Sequence, residues 1–87
     1  MYSPDAGRRL AAVRGLSLRK DARSLEALQK GLHDQEEEIR RRSAMALAAR
    51  GEASAAPALE ECLKTEESEQ VKNAILAALM KLRQGQD

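Results

Sequence analysis

The feature that most limits how this chain can fold is that it repeats itself. The stretch Ala27-Leu28-Gln29-Lys30-Gly31-Leu32-His33-Asp34 aligns with Ala58-Leu59-Glu60-Glu61-Cys62-Leu63-Lys64-Thr65, 31 residues further on. A second element occurs three times, as Arg8 to Leu16, Ile39 to Leu47 and Val71 to Leu79, with shifts of 31 and then 32 residues. The extra residue falls in the connection Glu66-Glu67-Ser68-Glu69. Repeats of this length mark arrays in which each unit is one supersecondary element, buried by its neighbours because it cannot bury its own apolar face.

Each element has helical periodicity. Val71, Ile75, Ala78, Leu79 and Leu82 follow the i, i+4, i+7, i+8, i+11 spacing of a buried stripe, and Ile39, Ser43, Ala46 and Leu47 repeat it one unit earlier. Two shorter helices are predicted around residues 21–33 and 54–64, with Leu25, Leu28 and Leu32 on one and Leu59 and Leu63 on the other. Five helices result, forming one all-α domain over residues 1–87. The punctuation agrees: Pro4 and Asp5 suit a first helical turn, Asp21 and Ser54 sit at N-cap positions, and Gly51 is a left-handed stop.

Composition explains how such helices must pack. Apolar residues make up 43% of the chain but are mostly Ala and Leu, with one Tyr and neither Phe nor Trp. Ala and Leu favour helix, and a core of small side chains requires closely spaced helices. Cys62 is the lone cysteine, so an internal disulfide is impossible, and a free thiol suits a reducing compartment, the cytoplasm. No apolar run approaches the ~20 residues of a membrane span, and the first residues lack a signal-peptide layout.

At this point the residues resemble a known family. A helix holding Ala56-Pro57-Ala58-Leu59 and Leu63, a polar corner, and a helix opening Ile39-Arg40 or Val71-Lys72 and running through alanines to a leucine are similar to the HEAT repeat, in its short PBS-lyase HEAT-like variant. The resemblance spans nearly the whole chain, as half a repeat followed by two full ones. It implies an α-α superhelix whose helices over 5–17, 37–50 and 69–83 line a concave side, with the two shorter helices convex. Ile39, Leu47, Val71 and Leu79 would fill the repeat's apolar positions. Asp34 and Arg40 match the family's corner Asp and the Arg six residues later, whereas the second corner has Thr65 and Lys72. Arg8 stands where the family has a branched apolar residue, which suggests an end helix with one face in water.

Charge is distributed unevenly beneath a formal net charge of +1. Through residue 50 there are 11 basic and 7 acidic residues, and beyond it 4 and 7. Were Arg9, Arg42 and Arg50 to share the concave side, the groove could hold an acidic peptide or a phosphate backbone. The competing reading pairs these cations with Glu36-Glu37-Glu38 and other acids along solvated helix flanks. Only Tyr2 could stack on a base, which weighs against single-stranded nucleic acid.

Leu76 and Met80 are the sharpest local departure. They lie off the buried stripe of the last helix, at positions that hold Ala44 and Ala48 one unit earlier. Either they pack on the helix around Leu59 and Leu63, or that end docks a partner, a second copy or further repeats.

His33 reads as a helix-end residue, and Cys62 as an inert, half-buried thiol with no histidine at activating spacing. One histidine and one cysteine are too few for a metal site of the usual kind, and resemblance to HEAT-like di-iron hydroxylases lacks their paired His-Glu motifs. No cofactor and no catalysis are expected. The function expected is non-catalytic binding of a protein or peptide, through the concave face or the last helix. Two alternatives stay open: duplex nucleic-acid binding by the basic N-terminal half, and an accessory role in a lyase-type enzyme, implied by resemblance to chromophore-lyase subunits.

Overall fold

The computed structural model describes residues 5–16 and 21–84. Pro4 therefore lies outside the described residues. Five α-helices follow in order: α1 Ala6–Leu16, α2 Ala22–Gly31, α3 Glu37–Arg50, α4 Ala56–Thr65 and α5 Glu69–Gln84. Among the described residues there is no strand. α3 packs between α1 and α5, while α2 lies against α3, with a smaller contact to α1, and α4 against α5. The result is an all-α stack of two layers, α1-α3-α5 and α2-α4. Its thinnest Cα dimension is 15 Å, which leaves room for two helix layers at ordinary interaxial spacing and no third.

The helix ends follow local chemistry. Asp5 Oδ1 accepts the Gly7 and Arg8 amides at the start of α1. Asp21 caps α2 through the Ser24 amide at 2.7 Å, and Gly51 ends α3 at φ 69°, a conformation that costs glycine nothing. Ser54 departs from the expected cap. The segment Ala53–Ala55 forms a 3₁₀ turn, Ala55 occupies the N-cap position of α4, and the Ser54 hydroxyl instead bonds Glu52 at 3.3 Å. Pro57 sits in the first turn of α4, where its missing N–H loses no helical bond.

The predicted stripes form the core. Leu28, Leu32, Ile39, Leu47, Leu59, Val71, Ile75, Leu79 and Leu82 are buried, joined by Val13 and by small residues such as Ala44, Ala55 and Ala78. Gly31 shows how close the layers come. A Cβ there would collide with the Ser43 hydroxyl and approach Val13, so α2 can lie on α3 only because residue 31 has no side chain. Ser43 Oγ is itself buried without a hydrogen-bond partner. We therefore expect Gly31→Ala to destabilise by about 1–3 kcal/mol through overpacking. Ser43→Ala removes a desolvated hydroxyl, and should raise stability by about 1 kcal/mol and soften the Gly31→Ala defect. Urea denaturation of the two single variants and the double variant measures both effects.

Candidate functional site

The polar corners between helices are built by residues from neighbouring units. Arg9 on α1 donates from Nε to Asp34 Oδ2 at 2.7 Å and from Nη2 to Oδ1 at 3.1 Å, with both side chains about 95% buried (5% and 4% exposed). Asp34 Oδ1 also accepts the Glu36 amide at 2.9 Å, which fixes the turn into α3. One unit later the arrangement recurs. Arg40 donates in the same two-pronged way to Glu66 at 2.9 and 3.2 Å, and Glu66 accepts the Ser68 amide at 3.1 Å. Arg9 and Arg40 are 31 residues apart, and Asp34 and Glu66 are 32 apart.

Asp34 and Arg40, which match the family pattern, do not form an ion pair with each other. Arg40 reaches only the backbone carbonyls of Asp34 and Gln35, at 2.8 and 3.1 Å, and its ion pair runs forward to the next corner. The second corner does carry an acid, displaced by the extra residue from position 65 to Glu66. Burial works against ionisation of Glu66, but the Arg40 guanidinium and the amides of Ser68 and Glu67 together hold its carboxyl below the ordinary value of 4.5.

The three arginines expected on an open groove have different fates. Arg9 is sealed into the first corner. Arg50 is also buried: it lies at the C-terminal end of α3 and donates from Nη2 to the Asp21 carbonyl at 3.2 Å, tying that end to the start of α2. Arg42 alone of the three reaches toward water, and there it shares Glu38 with Arg41 at 2.9 and 2.8 Å. Those two guanidinium hydrogen bonds hold the Glu38 carboxyl below its ordinary value. Sequence periodicity gave the helix faces correctly, but a buried arginine is determined by its partner and not by its own spacing.

α5 presents the largest exposed apolar side chains among the described residues. Leu76 is 46% and Met80 60% exposed, and the next is Met45 at 44% on α3. Leu76 and Met80 border a groove with Pro57, Leu63, Glu60 and Arg83. They are not folded away against α4. Ala44, the counterpart of Leu76, is fully buried where α5 covers α3.

His33 and Cys62, 29 residues apart, meet across α2 and α4, with His33 Nε2 3.6 Å from Cys62 Sγ. The sequence spacing gave no sign of this contact. It does not activate the thiol: burial, reinforced by Glu66 and Glu61, pushes the Cys62 pKa up, so the sulfur stays protonated. Among the described residues no group of three or more His, Cys, Asp or Glu could hold a metal ion.

Paired helices stacked in register, with corners that lock one unit to the next, define a helical-repeat protein. The sequence model for HEAT repeats matches residues 1–80, and the chain belongs to that family. HEAT repeats generally mediate protein–protein interaction. No curated protein and no solved structure matches the chain. No helix among the described residues is long and apolar enough to cross a membrane.

Two outcomes follow from the corners. Arg9→Met strands a buried carboxylate and should cost about 3 kcal/mol or more, whereas Arg9→Met with Asp34→Leu should cost less than Arg9→Met alone; chemical denaturation of the set checks this. Because the folded Glu66 pKa is below its unfolded value, its contribution is complete above about pH 4.5 and is lost as pH falls through the folded value. Glu66→Gln should therefore lower stability at neutral pH and flatten its fall in acid, as read by denaturation at a series of pH values.

Proposed function

We propose that this chain is a non-catalytic interaction module that binds a protein partner through the outward face of α5. The observation that carries this reading is the exposure of Leu76 and Met80 on a helix whose other large apolar residues are buried. Paired apolar side chains beside a groove gain most from being covered, and they serve as anchors while the charged rim of Glu60 and Arg83 sets orientation. Arg42 contributes at the margin, since Glu38 already shares its charge. The repeat period of 31 to 32 residues supports assignment to the short PBS-lyase HEAT-like variant, and the lone Cys62 supports a reducing, cytoplasmic setting.

The basic-groove alternative is weakened by the sequestration of Arg9 and Arg50, which a phosphate backbone would need to reach. The discriminating experiment uses the tagged chain as bait in nuclease-treated lysate at physiological salt, alongside Leu76→Ser/Met80→Ser and Arg42→Glu. The first variant should keep its thermal midpoint, because the two side chains are exposed, and should lose the captured protein. Arg42→Glu should retain most of it. Capture that disappears with nuclease, or that depends on Arg42 and not on Leu76 and Met80, overturns this reading.

A further inference from the structure

We infer that the occupant of the α5 face is a second copy of this chain, whose own α5 lies against it in the opposite direction about a two-fold axis at Leu76. This rests on the interaction-module reading and names the chain itself as the partner.

The argument starts from the order of side chains along one stripe. At about 100° per residue, Glu69, Lys72, Leu76, Met80 and Arg83 fall within about 80° of the circumference of α5, turned away from the buried Val71, Ile75, Ala78 and Leu82. Leu76 and Met80 are exposed in its middle, and the Glu69 and Arg83 side chains, 81% and 66% exposed, stand at its two ends. Glu69 meets Lys72 at 3.5 Å and Arg83 meets Glu60 at 3.4 Å. Surface pairs of this kind contribute little, so each end can take up a second, opposite charge.

An interface between identical copies has to be self-complementary: where residue i meets residue j, j also meets i. The stripe satisfies that condition. Glu69 lies seven residues before Leu76, and Arg83 seven residues after it. With two α5 helices antiparallel and Leu76 opposite Leu76, each Glu69 faces Arg83 of the other copy, so one acid–base pair closes each end. Between them the Lys72 stem lies over Met80 of the other copy, which covers the methionine without burying the ammonium. Leu76 is also at the middle of α5, Glu69–Gln84, so this register overlaps the two helices along their whole length.

Other arrangements lose these contacts. Parallel helices would set Glu69 against Glu69, Lys72 against Lys72 and Arg83 against Arg83, like charges at every step. They would also place equal ends of the two helix dipoles side by side. Sliding antiparallel copies until Leu76 meets Met80 keeps the apolar contact but brings Arg83 to Asn73, and both acid–base pairs are broken. An unrelated partner requires no charge order that becomes its own complement when reversed; a second copy does.

The size of the face sets the strength of the dimer. α5 has 16 residues, about 24 Å, and offers a strip about 10 Å wide. That is less than the ~800 Å² per partner of a standard interface, so the copies associate reversibly, with a dissociation constant of roughly 10–100 μM.

Sedimentation equilibrium of the intact chain across that concentration range should show monomer and dimer exchanging. Leu76→Ser/Met80→Ser should leave a folded monomer throughout. Glu69→Arg and Arg83→Glu each put two like-charged pairs across the axis, and each should weaken the dimer about tenfold or more. Both positions are exposed, so both variants should keep their helical circular dichroism. Mixed in equal amounts, the two variants should associate about as tightly as the unaltered chain, because the mixed dimer has opposite charges at both ends. The inference is overturned if the chain is monomeric at every concentration, if a dimer forms that ignores Leu76→Ser/Met80→Ser, or if the mixture associates no better than either variant alone. A monomeric chain whose capture of a different protein from lysate is still abolished by Leu76→Ser/Met80→Ser sinks this inference alone. A monomeric chain whose capture survives those substitutions sinks the interaction reading with it.

Discussion

The ion pair between Arg9 and Asp34 sets the register on which the remaining stack depends. Both charges are withdrawn from water, which is costly, and the cost is offset only when the guanidinium meets the carboxylate with two bonds and the carboxylate keeps a backbone amide as well. Such a pair adds little net stability over well-packed hydrocarbon, but it discriminates sharply between arrangements. A slip of one residue along α1 turns the arginine about 100° away from the corner and leaves a buried carboxylate stranded. Hydrocarbon faces made of alanine and leucine tolerate sliding, so the corners supply the specificity that this core lacks.

That division of labour accounts for the close approach of the layers. Without Phe or Trp, volume must be filled by bringing backbones together, and Gly31 over Ser43 is one such close approach. The unpartnered Ser43 hydroxyl is the local cost of a small residue at that contact. Arg50, reaching from the end of α3 to the Asp21 carbonyl, ties the same two helices at their other end. α2 is thus held at a turn boundary, at a steric minimum and by the packing of Leu28 and Leu32.

The helices, the stripe residues, Asp21 and Gly51 were legible in the sequence because each depends on local chemistry or on period. The charges were not. Arg40 was matched with Asp34 through the family pattern, yet its guanidinium crosses to Glu66, 26 residues on, because the corner between α4 and α5 delivers that acid to it. Arg9 and Arg50 read as solvated cations, since burial of an arginine is set by distant partners that periodicity does not reveal. The His33 to Cys62 contact escaped for the same reason. What could have exposed the corners was the shared shift of cation and acid: Arg9 to Arg40 is 31 residues, and Asp34 to Glu66 is 32.

Leu76 and Met80 set α5 apart from α3, the helix it covers. The equivalent position changes from the buried Ala44 on α3 to the exposed Leu76 on α5, so exposed hydrocarbon increases from one helix to the next. Lys72 stands where the first two units carry Arg9 and Arg40, and its ammonium cannot make their forked bond to a carboxylate. A purely solvated helix gains nothing from combining a leucine, a methionine and a cation at the positions used elsewhere in the chain for stacking. On the interaction reading, cover by a partner accounts for all three at once.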